Sequence, residues 1–254
     1  MQIDNKVVLI TGAGTGIGAA TARYMARRGA RLALAGLPYD ALCAVADSIN
    51  ASGASAIAIE TDVRDERAVA GAVEKTVQTF GRLDVAVANA GIQRHRTDRD
   101  LFQISEEEWE QTQDVNLRGV MRTCKHALAQ MIQQGDGGAI VIVSSITALS
   151  GGSANVSYST AKTALLGLNR HIAVHYAKHG IRCNAICPGA LERTPDWMDH
   201  PNPQARKQAM EASIPLGRLG QPEDIAPFIA LLASDDASYA TGAQFVIDGG
   251  LTIR

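Results

Sequence analysis

The hydrophobic pattern alternates between short apolar runs and longer amphipathic stretches along almost the whole chain. The apolar runs have the length of β-strands, and the stretches between them repeat their apolar residues at helical spacing. The predicted strands are Lys6–Ile10, Arg31–Ala35, Ala54–Ile59, Leu83–Ala88, Ala139–Val143, Arg182–Cys187 and Gln244–Ile247. The predicted helices are Ile17–Arg28, Ala41–Ala51, Glu66–Phe80, Glu106–Gln134, Val156–Lys178 and Glu223–Ala233.

This alternation predicts an α/β fold. Strands that are apolar almost throughout are typical of a parallel sheet with both faces covered by helices, joined by right-handed crossovers. We therefore expect residues 1–254 to form a single Rossmann-like domain around a seven-stranded, parallel, doubly wound sheet. Residues 188–215 interrupt the pattern with Pro and charged residues, and we expect an irregular, substrate-binding lid segment there.

The composition limits the classes of binding partner that we expect. The chain has 254 residues, 46% hydrophobic content and a net charge of -2, so it can bury a large core but presents no basic surface for nucleic acid. It has no basic-then-apolar leader and no window of about 18 apolar residues, so we expect a soluble cytoplasmic protein without a membrane partner. The four cysteines show neither a CxxC pair nor zinc-ligand spacing, and are predicted to be small buried apolar residues.

A glycine-rich turn follows the first predicted strand, between Thr11 and Gly18. Glycines at such a turn let the backbone approach a pyrophosphate at a helix N-terminus. Two registers fit the sequence: one uses Gly14, Gly16 and Ala19, and the other uses Gly12, Gly16 and Gly18. Because the turn lies between a strand and a helix, both registers predict a dinucleotide site in the same place.

The end of the second strand bears on the choice of coenzyme. In many NAD-binding proteins an acidic residue at this strand end hydrogen-bonds the ribose 2′-hydroxyl, but this strand ends at Gly36. Leu37 occupies the position at which an Arg would bind the 2′-phosphate of NADP. Thr15 in the glycine-rich turn is neutral. We therefore expect NAD or NADP, with a slight preference for NAD. The pair Asp62-Val63 follows the third strand and fits either an adenine contact or an N-cap for the helix that begins near Asp65.

Tyr158 and Lys162 lie one turn apart on a predicted helix, and Ser145 lies upstream after the fifth strand. A free phenol has a pKa of about 10, and a neighbouring ammonium group stabilises the phenolate and lowers that value. The tyrosine could then exchange a proton with an alcohol or carbonyl oxygen at neutral pH. Taken alone, such a pair is common on helix surfaces, so the functional interpretation depends on the rest of the chain.

The combined motifs resemble the short-chain dehydrogenase/reductase family over nearly the whole chain. The matching features are the turn from Thr11 to Gly18, then Asn89-Ala90-Gly91, Asn116, Ser145, the Tyr158/Lys162 pair and Pro188-Gly189. The resemblance implies an oxidoreductase that transfers a hydride between NAD(P) and a secondary alcohol or ketone, with no metal.

The resemblance also implies roles for individual residues. Tyr158 would be the acid/base, Lys162 would lower its pKa and hold the nicotinamide ribose, and Ser145 would bind the substrate oxygen. Asn116 would keep a water next to Lys162, although a plain position within a helix is the alternative. The implied coenzyme-binding residues are Gly12, Thr15, Gly16, Ile17, Gly18, Gly36, Asp62, Val63, Asn89, Ala90, Gly91, Tyr158, Lys162, Pro188 and Gly189.

The substrate side is less defined by sequence. Because ligands bind beyond the carboxyl ends of parallel strands, we expect Gln93, Ser145 and Tyr158 to contact the substrate. The basic segment 94–99 could bind an anion, but a solvated loop with Asp98 and Asp100 as local partners is favoured. His95 could contact the substrate, but a position at the surface is favoured over a catalytic role. Trp197 and Met198 are predicted to form an apolar wall or to pack within the lid.

Two other functions stay open at this point. One is a 3-oxoacyl-[acyl-carrier-protein] reductase, which would need a basic docking face that Arg122, Lys125 and segment 94–99 could supply. The other is a non-catalytic, nucleotide-sensing binding protein. The resemblance also implies a homotetramer built on the helices Glu106–Gln134 and Val156–Lys178 together with the last helix and strand.

Overall fold

The computed structural model of the protein describes residues 3–98, 100–151, 155–192 and 202–254. Its centre is a seven-stranded sheet with the strand order β3-β2-β1-β4-β5-β6-β7, and every neighbouring pair is parallel. The predicted fold class and all the predicted strands are confirmed. The strands are β1 Val7–Thr11, β2 Arg31–Gly36, β3 Ser55–Glu60, β4 Val85–Ala88, β5 Gly138–Val143, β6 Ile181–Pro188 and β7 Gln244–Ile247.

Helices cover both faces of the sheet because the central strands are apolar on both sides. The helices are α1 Gly16–Ala26, α2 Tyr39–Ala51, α3 Glu66–Phe80, α4 Glu106–Gln113, α5 Val120–Gln134, α6 Val156–Tyr176, α7 Pro203–Ser213 and α8 Pro222–Ala233. Helices α1, α2 and α8 pack on one face around buried residues such as Met25, Leu42 and Ile225. Helices α3, α5 and α6 pack on the other face around residues such as Val73 and Leu165.

The long helix predicted over Glu106–Gln134 is wrong as one regular element. Helix α4 is followed by a π-helical turn at Asp114–Gly119, and α5 continues from Val120. The apolar repeat runs through the turn without a break, so hydrophobic spacing gave no sign of the wider winding. Such π-turns occur mostly as single turns inside α-helices, and this one contains Asn116.

The region predicted to be irregular over 188–215 contains a helix. Asn202 caps α7 by accepting a hydrogen bond from the Ala205 amide, and Pro203 occupies the first turn, where its missing N–H costs nothing. None of the residues of α7 is buried, and its sequence has no apolar stripe. Hydrophobic spacing therefore did not predict this helix. Trp197 and Met198 lie outside the described residues.

The strand order reverses direction between β1 and β4, since β2 and β3 follow on one side and β5 to β7 on the other. In open parallel sheets this reversal leaves a crevice at the carboxyl ends of the two strands. The loops after β1 and β4 therefore diverge and open the site described next. None of the helices in the described part of the chain is long and apolar enough to cross a bilayer.

Candidate active site

A cleft of about 1800 Å³ opens at the carboxyl ends of β1, β4, β5 and β6. Two of the predicted site residues, Gly18 and Asn116, are not part of its wall. The cleft wall brings together all the others: Gly12, Thr15, Gly16, Ile17, Gly36, Asp62, Val63, Asn89, Ala90, Gly91, Gln93, Ser145, Tyr158, Lys162, Pro188 and Gly189.

The glycine-rich turn uses the register of Gly12, Gly16 and Gly18. Gly12 has φ +67° and Gly16 has φ +52°, in the left-handed region that favours glycine. A Cβ on Gly18 would lie 2.3 Å from the Gly12 carbonyl oxygen, whereas for a Cβ on Gly14 the nearest atom is the Ala41 Cβ at 3.1 Å. The residues therefore form a side-chain-free cradle at the N-terminus of α1, which fits the pyrophosphate of a dinucleotide coenzyme.

Asn89 holds the ends of β1 and β4 together. Its side-chain nitrogen donates hydrogen bonds to the Thr11 carbonyl at 2.9 Å and to the Gly12 carbonyl at 3.1 Å. The buried Thr11 hydroxyl in turn accepts the amides of Asn89 and Ala90. These bonds satisfy polar groups at the bottom of the cleft and fix the glycine-rich turn against the loop after β4.

The coenzyme-specificity corner consists of the ends of β2 and β3. Gly36 has φ +146°, and a Cβ there would lie 3.2 Å from the Gly12 amide nitrogen. Asp62 forms an ion pair with Arg64 at 2.6 Å, and the Arg64 hydrogen bond holds the pKa of its carboxyl below the usual range. The N-cap of α3 is Asp65, which accepts the Arg67 amide, so the N-cap role considered for Asp62 is wrong.

Asn116 is fully buried behind the cleft and exchanges two hydrogen bonds with Ile92. Its Nδ2 donates to the Ile92 carbonyl at 2.8 Å, and its Oδ1 accepts the Ile92 amide at 2.9 Å. A Cβ on Gly91 would lie 2.7 Å from that Oδ1 and 3.5 Å from Lys162 Nζ. The asparagine side chain thus fixes the loop after β4 close to the lysine.

Ser145, Tyr158 and Lys162 meet at the centre of the cleft. Ser145 follows β5, while Tyr158 and Lys162 extend from the first turns of α6, which packs against β6. Ser145 hydrogen-bonds the tyrosine side chain. Lys162 is 3% exposed and donates from Nζ to the Val143 carbonyl at 2.9 Å. Ser144 has a structural role, because its hydroxyl donates a hydrogen bond to the Lys162 carbonyl at 2.8 Å and so connects the end of β5 to α6.

Burial dominates the acidities of this pair. It raises the pKa of Tyr158 to about 12, although the Ser145 hydrogen bond lowers it in part. It also lowers the pKa of Lys162 to about 8, with Cys187 acting in the opposite direction. The predicted lowering of the tyrosine pKa by the lysine is therefore not present in this structure. Lys162 Nζ lies 5.5 Å from the Tyr158 ring centroid and points toward Val143 instead.

The loop after β4 supplies a polar wall beside Tyr158. Asn155 Oδ1 lies 3.4 Å from Gln93 Nε2 and 3.1 Å from His95 Nδ1, and all three residues line the cleft. His95 therefore lies in the cleft wall and not on an outer surface. Hydrophobic patterning missed Asn155; its position just before α6 was the available signal, because Asn is a frequent N-cap residue.

Asp98 is not the solvated partner of a basic loop that the sequence predicts. It is fully buried, and its carboxylate accepts the amides of Ser157 and Tyr158 at 2.8 Å each. Arg94 pairs instead with Glu108 at 3.4 Å, and Asp100 accepts the Phe102 amide. Nothing local in the sequence indicates the link from Asp98 to α6, since 60 residues separate Asp98 from Tyr158.

Comparisons with known proteins agree with this geometry. A family model described as "Enoyl-(Acyl carrier protein) reductase" matches residues 12–252. An L-rhamnose 1-dehydrogenase (NAD(P)(+)) from Sphingomonas sp. is 43% identical over 254 residues, which cover 99% of this chain and 98% of the relative. A cis-4-hydroxycyclohexanecarboxylate dehydrogenase from Sinomonas cyclohexanicum is 42% identical over 97% of this chain and 96% of the relative. A short-chain type dehydrogenase/reductase from Mycobacterium marinum superposes with a TM-score of 0.91 at 37% identity, covering 99% of this chain and 97% of that structure.

The cradle predicts a sharp difference between two helical glycines. Gly18→Ala places a Cβ against the Gly12 carbonyl, so we expect the free energy of unfolding to fall by about 1–3 kcal/mol and the affinity for NADH to fall about tenfold or more, which is about 1.4 kcal/mol. Gly71→Ala in α3 meets nothing within 4 Å and should stabilise the protein slightly. Thermal unfolding and NADH fluorescence titration check both variants. Equal NADH affinity in Gly18→Ala and wild type would contradict the assignment of the cradle.

The buried lysine predicts an unusual titration in the coenzyme-free protein. We expect Lys162 Nζ to lose its proton with a midpoint near 8 and Lys207, whose pKa is raised by Glu192, to stay charged past its usual range. The measurement is a 13Cε NMR titration assigned with Lys162→Arg and Lys207→Arg. Because the folded pKa lies below the unfolded one, this group adds stability as the pH rises from about 8 to 10.5. A midpoint for Lys162 at the ordinary lysine value would show that burial does not govern the site.

Proposed function

The chain belongs to the short-chain dehydrogenase/reductase family and is an NAD(P)-dependent oxidoreductase that acts on CH–OH groups, and we propose that its substrate is a polyhydroxylated or cyclic alcohol with Tyr158 as the acid/base. The observation that carries the proposal is the hydrogen bond between Ser145 and the half-buried Tyr158, with Lys162 on the next turn of the same helix. Residues 1–254 act as one catalytic domain.

The residues of the chain divide the chemistry between them. The nicotinamide, when bound, accepts or supplies the hydride. Ser145 donates a hydrogen bond to the substrate oxygen and stabilises the charge that grows on it. Tyr158 with a raised pKa is a proton donor, which suits reduction of a carbonyl group. In the oxidative direction the phenol must lose its proton, and Lys162, still mostly protonated at neutral pH, stabilises the resulting phenolate when its Nζ turns from the Val143 carbonyl toward the hydroxyl.

The coenzyme is held by the residues of the cradle and of the strand ends. Gly12, Thr15, Gly16 and Ile17 hold the pyrophosphate, with Gly18 providing the close packing beneath it. Gly36, Asp62 and Val63 lie on the adenosine side. The remaining coenzyme contacts lie on the nicotinamide side: Asn89, Ala90, Gly91, Tyr158, Lys162, Pro188 and Gly189.

Asn116 supports this arrangement in the way that the family resemblance implies, by keeping a water beside Lys162 for proton exchange with solvent. In support, Asn116 lies in the π-helical turn and its side chain fixes the loop next to the lysine. Irregular helical turns of this type are frequent at functional sites.

NAD is the slightly favoured coenzyme. No Lys or Arg follows β2 among residues 36–38, so that loop offers no cation to a 2′-phosphate. Arg64 lines the same end of the cleft, but Asp62 neutralises it. Because no acidic residue repels the 2′-phosphate at Gly36 either, NADP is also accepted, as the name of the Sphingomonas relative states for that enzyme.

A hydroxyl-rich substrate fits the wall opposite the coenzyme. Gln93, His95 and Asn155 form a hydrogen-bonded row beside Ser145 and Tyr158, and such groups pair with hydroxyls better than with an apolar chain. The relatives named for L-rhamnose and for cis-4-hydroxycyclohexanecarboxylate support a compact ring as the substrate.

The structure argues against docking of an acyl carrier protein. Three of the basic residues considered for the docking face are paired with carboxylates: Arg122 with Asp114 at 2.9 Å, Lys125 with Glu66 at 2.6 Å and Arg94 with Glu108 at 3.4 Å. Paired cations attract an acidic partner weakly. The non-catalytic sensor is set aside because the relatives are dehydrogenases that match over the full chain.

Assembly as a homotetramer in the cytoplasm completes the proposal. Exposed apolar side chains lie on the elements expected to form the interfaces: Val174 on α6 is 74% exposed, and Met121 on α5, Phe228 on α8 and Val246 on β7 are also exposed. Such surfaces are typical of subunit contacts. A reducing compartment agrees with the four cysteines, all of which are free thiols.

The first prediction from this function concerns substrate and coenzyme. Initial rates with a panel of aldoses, cyclic alcohols and 3-oxoacyl thioesters, each with both coenzymes, should give the highest kcat/KM for a ring alcohol or sugar. We expect a modest advantage for NAD over NADP, within about tenfold or 1.4 kcal/mol. A higher kcat/KM for a 3-oxoacyl thioester with NADPH would replace this substrate class with the carrier-protein reductase.

Two tyrosines on α6, Tyr158 and Tyr176, are expected to differ in their effect on kcat. Tyr158→Phe removes the proton donor, so we expect kcat to fall about 10²–10⁴-fold while NADH still binds. Tyr176→Phe, near the other end of the same helix, should leave kcat and KM unchanged. Steady-state kinetics with the best panel substrate and NADH titration check both variants. Wild-type turnover by Tyr158→Phe would remove the acid/base role.

A further inference from the structure

The first turn of α6 is held by a side chain from a distant loop. Helix α6 begins at Val156, so the amides of Ser157 and Tyr158 have no carbonyl partner in the preceding turn. The preceding residue, Asn155, makes no capping hydrogen bond to them. Asp98 takes that place instead, with Oδ1 accepting the Ser157 amide and Oδ2 accepting the Tyr158 amide, each at 2.8 Å.

This contact is unusual because the carboxylate is completely buried. A buried carboxylate is tolerated where every oxygen is hydrogen-bonded and a positive potential faces it. The first turn of a helix provides both, through its free amides and its dipole. The first turn of α6 therefore suits the side chain of Asp98, and one of its oxygens accepts the backbone amide of Tyr158, the residue that carries the catalytic hydroxyl.

The loop that contains Asp98 is tied to the same turn by further contacts. The Asn155 side-chain nitrogen donates to the Asp98 carbonyl, and Asn155 Oδ1 lies within hydrogen-bond distance of Gln93 and His95. From another side, Gln113 of α4 donates to the Ser157 carbonyl at 2.9 Å. The substrate-facing residues and the start of α6 are thus one hydrogen-bonded unit.

We propose that Asp98 is a positioning residue for catalysis. Its buried carboxylate connects the first turn of α6 to the loop that carries Gln93 and His95. This connection fixes the position of Tyr158 relative to Ser145. A cap on the helix itself would stabilise α6 but would not locate its first turn relative to the sheet. A clamp from the loop after β4 does locate it. The inference rests on the proposed role of Tyr158 as the acid/base.

The test compares Asp98→Asn with a capping aspartate elsewhere. In Asp98→Asn one oxygen remains as an acceptor, but the new amide nitrogen faces a backbone N–H, so one hydrogen bond and the charge are lost at nearly constant volume. We expect kcat to fall about tenfold to a hundredfold, because small displacements of a reacting group have effects of this size. KM and the dissociation constant of NADH should stay within about twofold. Asp65→Asn, which weakens the cap of α3, should leave kcat unchanged.

Amide hydrogen exchange supplies a readout that does not depend on turnover. In wild type we expect the amides of Ser157 and Tyr158 to be protected despite their position in the first turn, and in Asp98→Asn to exchange at least tenfold faster. Unprotected amides in the wild type would overturn the proposal even if the variants failed to fold.

Three results distinguish the inference from the proposed function. An inactive wild type, or a fully active Tyr158→Phe, contradicts the proposed function. An active wild type with kcat of Asp98→Asn within twofold overturns the positioning role alone. A parallel loss of kcat, substrate binding and NADH binding in Asp98→Asn also overturns it, because general loosening of the fold would then explain the defect.

Discussion

The parallel alignment of the seven strands is the constraint on which the rest of the structure depends. Parallel strands place all their carboxyl ends at one edge, so segments far apart in sequence must meet there. Gly12 after β1, Asn89 after β4, Ser145 after β5 and Pro188 at the end of β6 all reach the same cleft for this reason. The helices need only cover the faces of the sheet, and their inner surfaces are accordingly apolar.

Buried polar groups beneath and beside the cleft hold its loops in place through hydrogen bonds. Thr11 and Asn89 bind each other's backbone, Asn116 binds Ile92, and Ser144 binds the Lys162 carbonyl. Each of these bonds joins two segments that are distant in sequence. Leaving any of these groups without a partner would cost roughly 1–3 kcal/mol, so the network specifies one arrangement of the loops. The substrate groups enter a site whose geometry is already set.

Burial also shifts the pKa values of the ionisable side chains in the cleft. The same low-polarity surroundings raise the pKa of Tyr158 and lower that of Lys162, so each group is shifted toward its neutral form. A phenol with a pKa of about 12 keeps its proton at neutral pH, whereas a lysine with a pKa of about 8 can change its charge with small changes in its surroundings. The acidity of the site therefore follows from how deeply the residues lie as well as from which residues they are.

Sequence by itself determined the strands and the doubly wound fold, because apolar periodicity and glycine turns are local properties of the chain. The family resemblance named Ser145, Tyr158 and Lys162 without any knowledge of their distances. Local patterns could not indicate the π-helical turn around Asn116, the helix at Pro203–Ser213 or the burial of Asp98. Only the tertiary structure decided those, and with them the direction in which Lys162 points and the pKa of Tyr158. Each depends on which distant segments pack together, and therefore on depth and contact across the sheet edge.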